Sequence, residues 1–187
     1  QLLELLAQVE VAAGNREKAI SHLRNASHFA HTDGVMQIRI ADKLIALRDY
    51  QTARTPLVLA LDTKQRAVAQ EKLVAILLRE GDMKGARVQA AQVRKEDPDS
   101  AMGYVLEARI LQREGENDQA IAQYKAALAI KANREVMLDL YALYDRLGRQ
   151  PEGFQLLESW IQAHPEDSIA QRVLALGYLK AGKREPA

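Results

Sequence analysis

A six-residue turn phrase recurs along this chain about every 34 residues, and that period constrains the fold more than any single residue does. Gly14-Asn15-Arg16-Glu17-Lys18-Ala19, Arg48-Asp49-Tyr50-Gln51-Thr52-Ala53, Gly81-Asp82-Met83-Lys84-Gly85-Ala86, Gly115-Glu116-Asn117-Asp118-Gln119-Ala120 and Gly148-Arg149-Gln150-Pro151-Glu152-Gly153 stand in register. A further copy opens at Gly182 and is cut at Ala187. Each phrase separates two segments whose apolar residues fall at helical spacing. A helical hairpin of that size cannot bury its apolar side alone, so its neighbours must stack on it. The expectation is an all-α chain of stacked hairpins, which moves the functional question from a catalytic pocket to an extended surface.

With the turn glycine counted as position 15, the repeats run 1–33, 34–66, 67–100, 101–133 and 134–167, with a partial 168–187. In the fourth, helix A is expected from Met102 to Arg113 and helix B from Asp118 to Ile130. Gly115 supplies the stop between them, and the acidic residue that follows suits a helix N-terminus. Pro98 and Pro165 fall at position 32, where helix B must end. Small residues recur where helices have to approach closely. Position 8 holds Ala7, Ala41, Val74, Ala108 and Ala175, and position 20 holds Ala19, Ala53, Ala86 and Ala120. Position 27 holds Ala26, Ala60, Val93 and Ala127, while Leu23, Leu57, Tyr124 and Leu157 fill position 24.

Ala108, Ala120, Tyr124, Ala127, Pro98 and Pro165 match the small, aromatic and proline positions of the tetratricopeptide repeat (TPR), and the chain resembles that family over essentially its whole length. The resemblance implies a right-handed α-α superhelix, a single solenoid of about five and a half repeats. Asp97-Pro98-Asp99-Ser100, Gly103-Tyr104-Val105-Leu106-Glu107, Leu157-Glu158-Ser159-Trp160-Ile161, His164-Pro165-Glu166-Asp167 and Leu174-Ala175-Leu176-Gly177-Tyr178-Leu179 carry a narrower resemblance. They look like the C-terminal part of bacterial TPR lipoproteins of PEP-CTERM/exosortase systems. That likeness implies a periplasmic, outer-membrane-associated component serving exopolysaccharide export; without it a cytoplasmic location is equally open. The chain starts within a helix A and stops in the first turn of a helix B without a polar capping helix. An excised segment of a longer array is therefore expected.

Several positions depart from the repeat's own rule. Tyr141 and Trp160 stand at positions 8 and 27 of the fifth repeat, and Gly153 replaces the usual alanine. Positions 8 and 20 face each other, so the missing methyl of Gly153 would make room for the Tyr141 ring, and Gly153→Ala is expected to cost more than Ala120→Gly. The alternative is that both aromatics are ordinary core. Glu107 occupies position 7, otherwise apolar, where an enclosed carboxylate needs a partner. Pro56 should kink the second helix B or shift its start.

In hairpin stacks of this kind the A helices line the concave face, and positions 2, 5, 9, 12 and 13 share one side. The first three repeats offer Glu4, Asp42 and Glu71 with one base, Arg79. The last three offer Arg109, Arg113, Arg146, Arg172 and Lys180 against Glu135 and Asp145, interspersed with Met102, Val105, Gln112, Leu138 and Leu176. Met102, Val105, Arg109, Gln112, Arg113, Leu138, Arg146, Arg172 and Lys180 are the expected partner-binding residues. An apolar floor with basic spots suits an extended protein or peptide partner carrying acidic residues, or an anionic polysaccharide. The same residues also suit plain solvated helix faces. Lysine and asparagine at positions 5 and 9, which the two-carboxylate-clamp TPRs need, are absent: those positions hold Glu4 and Gln8, Ile38 and Asp42, or Val105 and Arg109.

Other classes find little support. The net charge of +1 supplies no field for nucleic acid, and no run of 18 apolar residues exists to span a membrane. The absence of cysteine excludes disulfides and thiol chemistry. His28 and His31 could share a helix face but have no third ligand in that helix, and His164 suits a helix C-terminus. No phosphate loop or nucleophile elbow is present, so no metal, cofactor or catalytic residue is expected. A non-catalytic scaffold that binds an extended partner in its groove is the first reading, and an envelope component contacting anionic polysaccharide is the second.

Overall fold

The computed structural model describes residues 2–182. Gln1 and the expected first turn of a sixth helix B, Lys183 to Ala187, lie outside them. The described residues form eleven α-helices. They are α1 (Leu2–Ala12), α2 (Arg16–Phe29), α3 (Gly34–Ala46), α4 (Tyr50–Ala60), α5 (Arg66–Glu80), α6 (Met83–Glu96), α7 (Ala101–Glu114), α8 (Asn117–Ile130), α9 (Arg134–Arg146), α10 (Gln150–Ala163) and α11 (Ser168–Lys180). Odd-numbered helices are the A helices and even-numbered ones the B helices, and the A and B helices of a repeat pack as hairpins.

The boundaries have local causes. The carboxylates of Asp33, Asp49, Asp82 and Asp167 and the amide oxygen of Asn133 accept backbone N–H bonds at the starts of α3, α4, α6, α11 and α9. Helices α5 and α7 end on Gly81 and Gly115 in the left-handed conformation, φ 79° and 87°. The second repeat makes the same turn without glycine: Arg48 sits at φ 57°, which costs an L-residue about 1 kcal/mol. Pro56 does not shift the start of α4, because Asp49 caps it and the helix runs on past the ring. Helix α4 has 11 residues, while the other described B helices have 14.

The helices divide at Pro98 and Asp99 into two compact units, α1–α6 and α7–α11. In the first, Ala7, Ala19, Leu23, Ala41, Leu44, Ala53, Leu57 and Ala60 make one buried cluster. In the second, Ala108, Ala120, Tyr124, Ala127, Leu140, Leu143 and Tyr144 make another, and Met137, Leu157 and Ala170 a third beside α11. Small side chains at positions 8 and 20 of the first four repeats are buried, while Ala175 of α11 is partly exposed; the helices of a hairpin therefore lie close and bring the leucines of position 24 inside. Each such leucine contributes about 1.5–3 kcal/mol.

The irregular fifth repeat obeys a steric rule of its own. A Cβ on Gly153 would stand 3.2 Å and 3.3 Å from Tyr141 Cδ2 and Cε2, so the ring does lie over that glycine. The tighter constraint comes from α11, where a Cβ on Gly177 would fall 2.6 Å from Tyr141 Oη and 2.8 Å from Phe154 Cε1. Tyr141 is partly buried against the third cluster. Trp160 donates its indole N–H to Asp167 Oδ2 at 3.0 Å and stacks on His164, the C-cap of α10, with ring centroids 4.3 Å apart. Glu107 departs from expectation: it is only half-buried and not enclosed in the interior. Among the described residues no helix is long and apolar enough to cross a membrane.

Candidate partner-binding site

The expected groove residues sit on the A helices, where the spacing put them, but most of their charge is already engaged. In the first unit Glu4 of α1 is buried, 4% exposed, and takes a two-pronged bond from Arg39 of α3 at 2.9 Å and 2.6 Å. Lys43 joins the same carboxylate at 3.0 Å. Burial pushes the Glu4 carboxyl up, and the bonds from Arg39 and Lys43 outweigh it and hold it below its ordinary value. Asp42 pairs with Lys72 of α5 at 2.6 Å. Arg79 lies over the Tyr50 ring, 5.4 Å from its centroid. The acidic half of the expected gradient is thus largely neutralised within its own unit.

The second unit repeats the device, with the signs exchanged in one of its two pairs. Arg109 of α7 bonds Asp139 of α9 at 3.1 Å, and Lys180 of α11 bonds Asp145 of α9 at 2.8 Å. Each pair ties one A helix to the next and leaves the main-chain stack between them undisturbed. Opposite charges 30 residues apart, Asp42 with Lys72 and Arg109 with Asp139, are the sequence signal for this tie. Helical spacing within one repeat does not contain that signal.

Four of the expected residues converge nonetheless. Arg109, Gln112, Arg113 and Arg146 line one open pocket of about 610 Å³, together with Glu114, Gly115 and Asn117. Its floor is a polar network on a buried phenol. Gln112 meets Tyr124 Oη at 3.1 Å. Because the Arg146 guanidinium can only donate, the Gln112 amide oxygen faces Arg146 and its NH₂ donates to the phenol. Burial first, and the nearby Asp139 second, push the Tyr124 hydroxyl up to about 12, against the opposing effect of Arg109 and Arg146. The phenol is a neutral post that holds Gln112, and Gln112 in turn orients Arg146. Arg113 and Asn117 complete the rim from the end of α7 and the start of α8.

The other expected residues lie elsewhere. Val105 is 4% exposed in the core of the second unit and has no surface to offer a partner. Leu138 is partly buried against the third cluster, and Met102 is also half-covered. Arg172 and Leu176 are exposed on α11, with Lys180 engaged by Asp145. Among the described residues no group of three histidines, aspartates or glutamates is placed to hold a metal ion.

Comparison with solved structures defines the class of fold. TTC0263, a thermophilic TPR protein of Thermus thermophilus, is similar over 96% of this chain and 98% of its own, with a TM-score of 0.68 and 20% identity. Yeast Tom70 is similar over 88% of this chain and 36% of its own, with a TM-score of 0.69 and 16% identity. MamA of Desulfovibrio magneticus RS-1 covers 89% of this chain with 96% of its own, at a TM-score of 0.55 and 18% identity. The fold is that of a TPR array, all-α and built of sequential helix pairs. No protein-family model matches the sequence, and neither does any curated protein.

Proposed function

We propose that this chain is a non-catalytic protein–protein interaction scaffold that captures an extended partner on its A helices. An acidic side chain of that partner is held by Arg113 and Arg146 in the second unit. The observation that carries this reading is the convergence of Arg109, Gln112, Arg113 and Arg146 on one open pocket, with Gln112 and Tyr124 fixing the geometry. Arginine forks suit carboxylates, and a partly desolvated pocket strengthens the pairing. Arg109 also bonds Asp139 and so ties α7 to α9.

The same cations favour a second reading, an envelope component that assists exopolysaccharide export or PEP-CTERM protein sorting and contacts an anionic polysaccharide. The two differ in salt dependence, because a polymer bound through many charges is released steeply by salt. The test is titration of the chain with a Glu-rich peptide library and, separately, with polygalacturonate at two salt concentrations. Arg113→Glu/Arg146→Glu, which spares the Arg109–Asp139 pair, is run alongside. Peptide binding weakened at least tenfold by the double variant supports the scaffold reading. Polymer binding alone, steeply salt-dependent and lost in the variant, selects the second. Undiminished binding in the variant overturns both.

A further inference from the structure

The first unit holds a second concavity on the side of its B helices, away from the charged pairs of the A helices. A cavity of about 280 Å³ opens between α2 and α4 over Leu44 of α3. Leu44, Pro56 and Leu59 form its apolar wall, and the Thr52 and Thr55 side chains close one side. Arg24, His28 and His31 stand at its mouth, and no carboxylate lines it.

The repeat register explains why this space is left open. Ser27 occupies position 28 and Pro56 position 23 of the next repeat. In the second unit those positions carry Leu128 and Leu156, and both leucines pack against the same two core clusters. Ser27 cannot fill the equivalent seat, for its hydroxyl is turned to Gln37 Oε1 at 2.7 Å and Gln37 Nε2 bonds the Ser27 carbonyl at 2.8 Å. Both residues are buried, so the arrangement is a satisfied polar pair: Ser27 lines the cavity with its hydroxyl committed to Gln37 and with no bulk to fill the space. Pro56 contributes twice. Its ring is flatter than a leucine side chain, and its missing N–H leaves the Thr52 carbonyl without its helical donor. Two coordinated substitutions thus replace a packed leucine pair by a void with a cationic mouth.

We propose that this cavity binds a small apolar monoanion, of the class of a medium-chain or aryl carboxylate, with its tail against Leu44, Pro56 and Leu59 and its carboxylate at Arg24 and the two histidines. The volume lies at the small end of ligand pockets, which limits the ligand to about ten to fifteen non-hydrogen atoms. Charge complementarity selects the anion, since every ionisable group of the lining is basic.

Octanoate is the probe, followed by ¹H–¹⁵N shift perturbation on the full chain. Saturable shifts at Leu44, Thr55 and Leu59, with a Kd at or below about the millimolar range, are expected. Arg24→Glu, an exposed change, should weaken octanoate at least tenfold. Pro56→Leu, which restores the residue of the second unit, should abolish binding while the chain stays folded, as its amide spectrum would report. Octanol should bind at least tenfold more weakly than octanoate. The proposal is overturned by the absence of saturable shifts in the unmodified chain, by equal affinity for octanol, or by full binding in folded Pro56→Leu.

Discussion

Tyr141 is held by the absence of two methyl groups, one on each side of it. Gly153 faces the ring edge and Gly177 faces the hydroxyl, so the residue is locked between α10 and α11. The two glycines are not equivalent. At Gly153 the incoming carbon would sit 3.2 Å from a ring atom, a shortfall of a few tenths of an ångström, and alanine's helix propensity offsets much of it. At Gly177 the overlap, 2.6 Å and 2.8 Å, involves both Tyr141 and the buried Phe154 ring, and neither can swing aside without opening the core. Gly177→Ala is therefore expected to destabilise the chain by about 1–2 kcal/mol, with Gly153→Ala close to neutral, which reverses the sequence-based expectation that Gly153→Ala would cost more than Ala120→Gly. Urea unfolding of both variants checks this, and a larger loss at Gly153 would reverse the assignment. Gly153 was legible in the sequence because the repeat aligns it with Tyr141. Gly177 was not, because it lies in the next repeat, and the period relates equivalent positions without saying which of them touch.

Helices were easier to read than their surroundings. Turn glycines, aspartate caps and apolar spacing are local properties, and they put the fourth hairpin within a residue of its structural bounds. Whether an apolar face is covered is not local. Leu2, Leu6 and Val9 of α1 are 71%, 39% and 65% exposed, while their counterparts in α5, Ala69, Leu73 and Ile76, are 0%, 5% and 2% exposed. The pattern is the same; the neighbour differs. Likewise Arg109 and Lys180 were legible as basic groove positions, but the pairs with Asp139 and Asp145 that engage them lie across two helices. One element boundary gathers several such long-range terms. Asp167 caps α11 through Ile169 and Ala170, accepts from Trp160 of α10, and lies 3.6 Å from Arg134 of α9. The Trp160 bond, aided by the cap, holds its carboxyl below the ordinary aspartate value against the effect of burial. A depressed carboxyl contributes stability above about pH 4 and loses it as the pH falls through its folded value. Asp167→Asn should therefore unfold more readily at pH 7, with the difference shrinking as the pH is lowered to about 3. Trp160 is the chain's single tryptophan, so its fluorescence reports the transition directly. A difference that stays constant with pH would show that the carboxyl's charge plays no part.

At the scale of the whole molecule, near-zero net charge hides two ladders of paired charges. The Glu4–Arg39–Lys43 and Asp42–Lys72 contacts lie within the first unit, and Arg109–Asp139 and Asp145–Lys180 within the second. The cores are divided in the same way: one cluster draws only on α1 to α5 and their turns, the others only on residues from α7 onward. Pro98 favours an extended residue before it, and Asp97, the C-cap of α6, has φ −143° and ψ 88°. Ser100 then begins α7 afresh as its N-cap. Each unit has about 90 residues, enough to bury a self-sufficient core when hairpins stack in series. Cutting the chain between Pro98 and Asp99 is thus expected to give two fragments that each retain a helical circular-dichroism spectrum and a cooperative thermal transition. In repeat proteins stability is approximately a sum over repeats and their nearest-neighbour interfaces, so the hairpins stacked within each fragment should keep its helices. A fragment that is unfolded at low temperature would show that its core needs the other half, and that the division into units is one of contacts and not of stability.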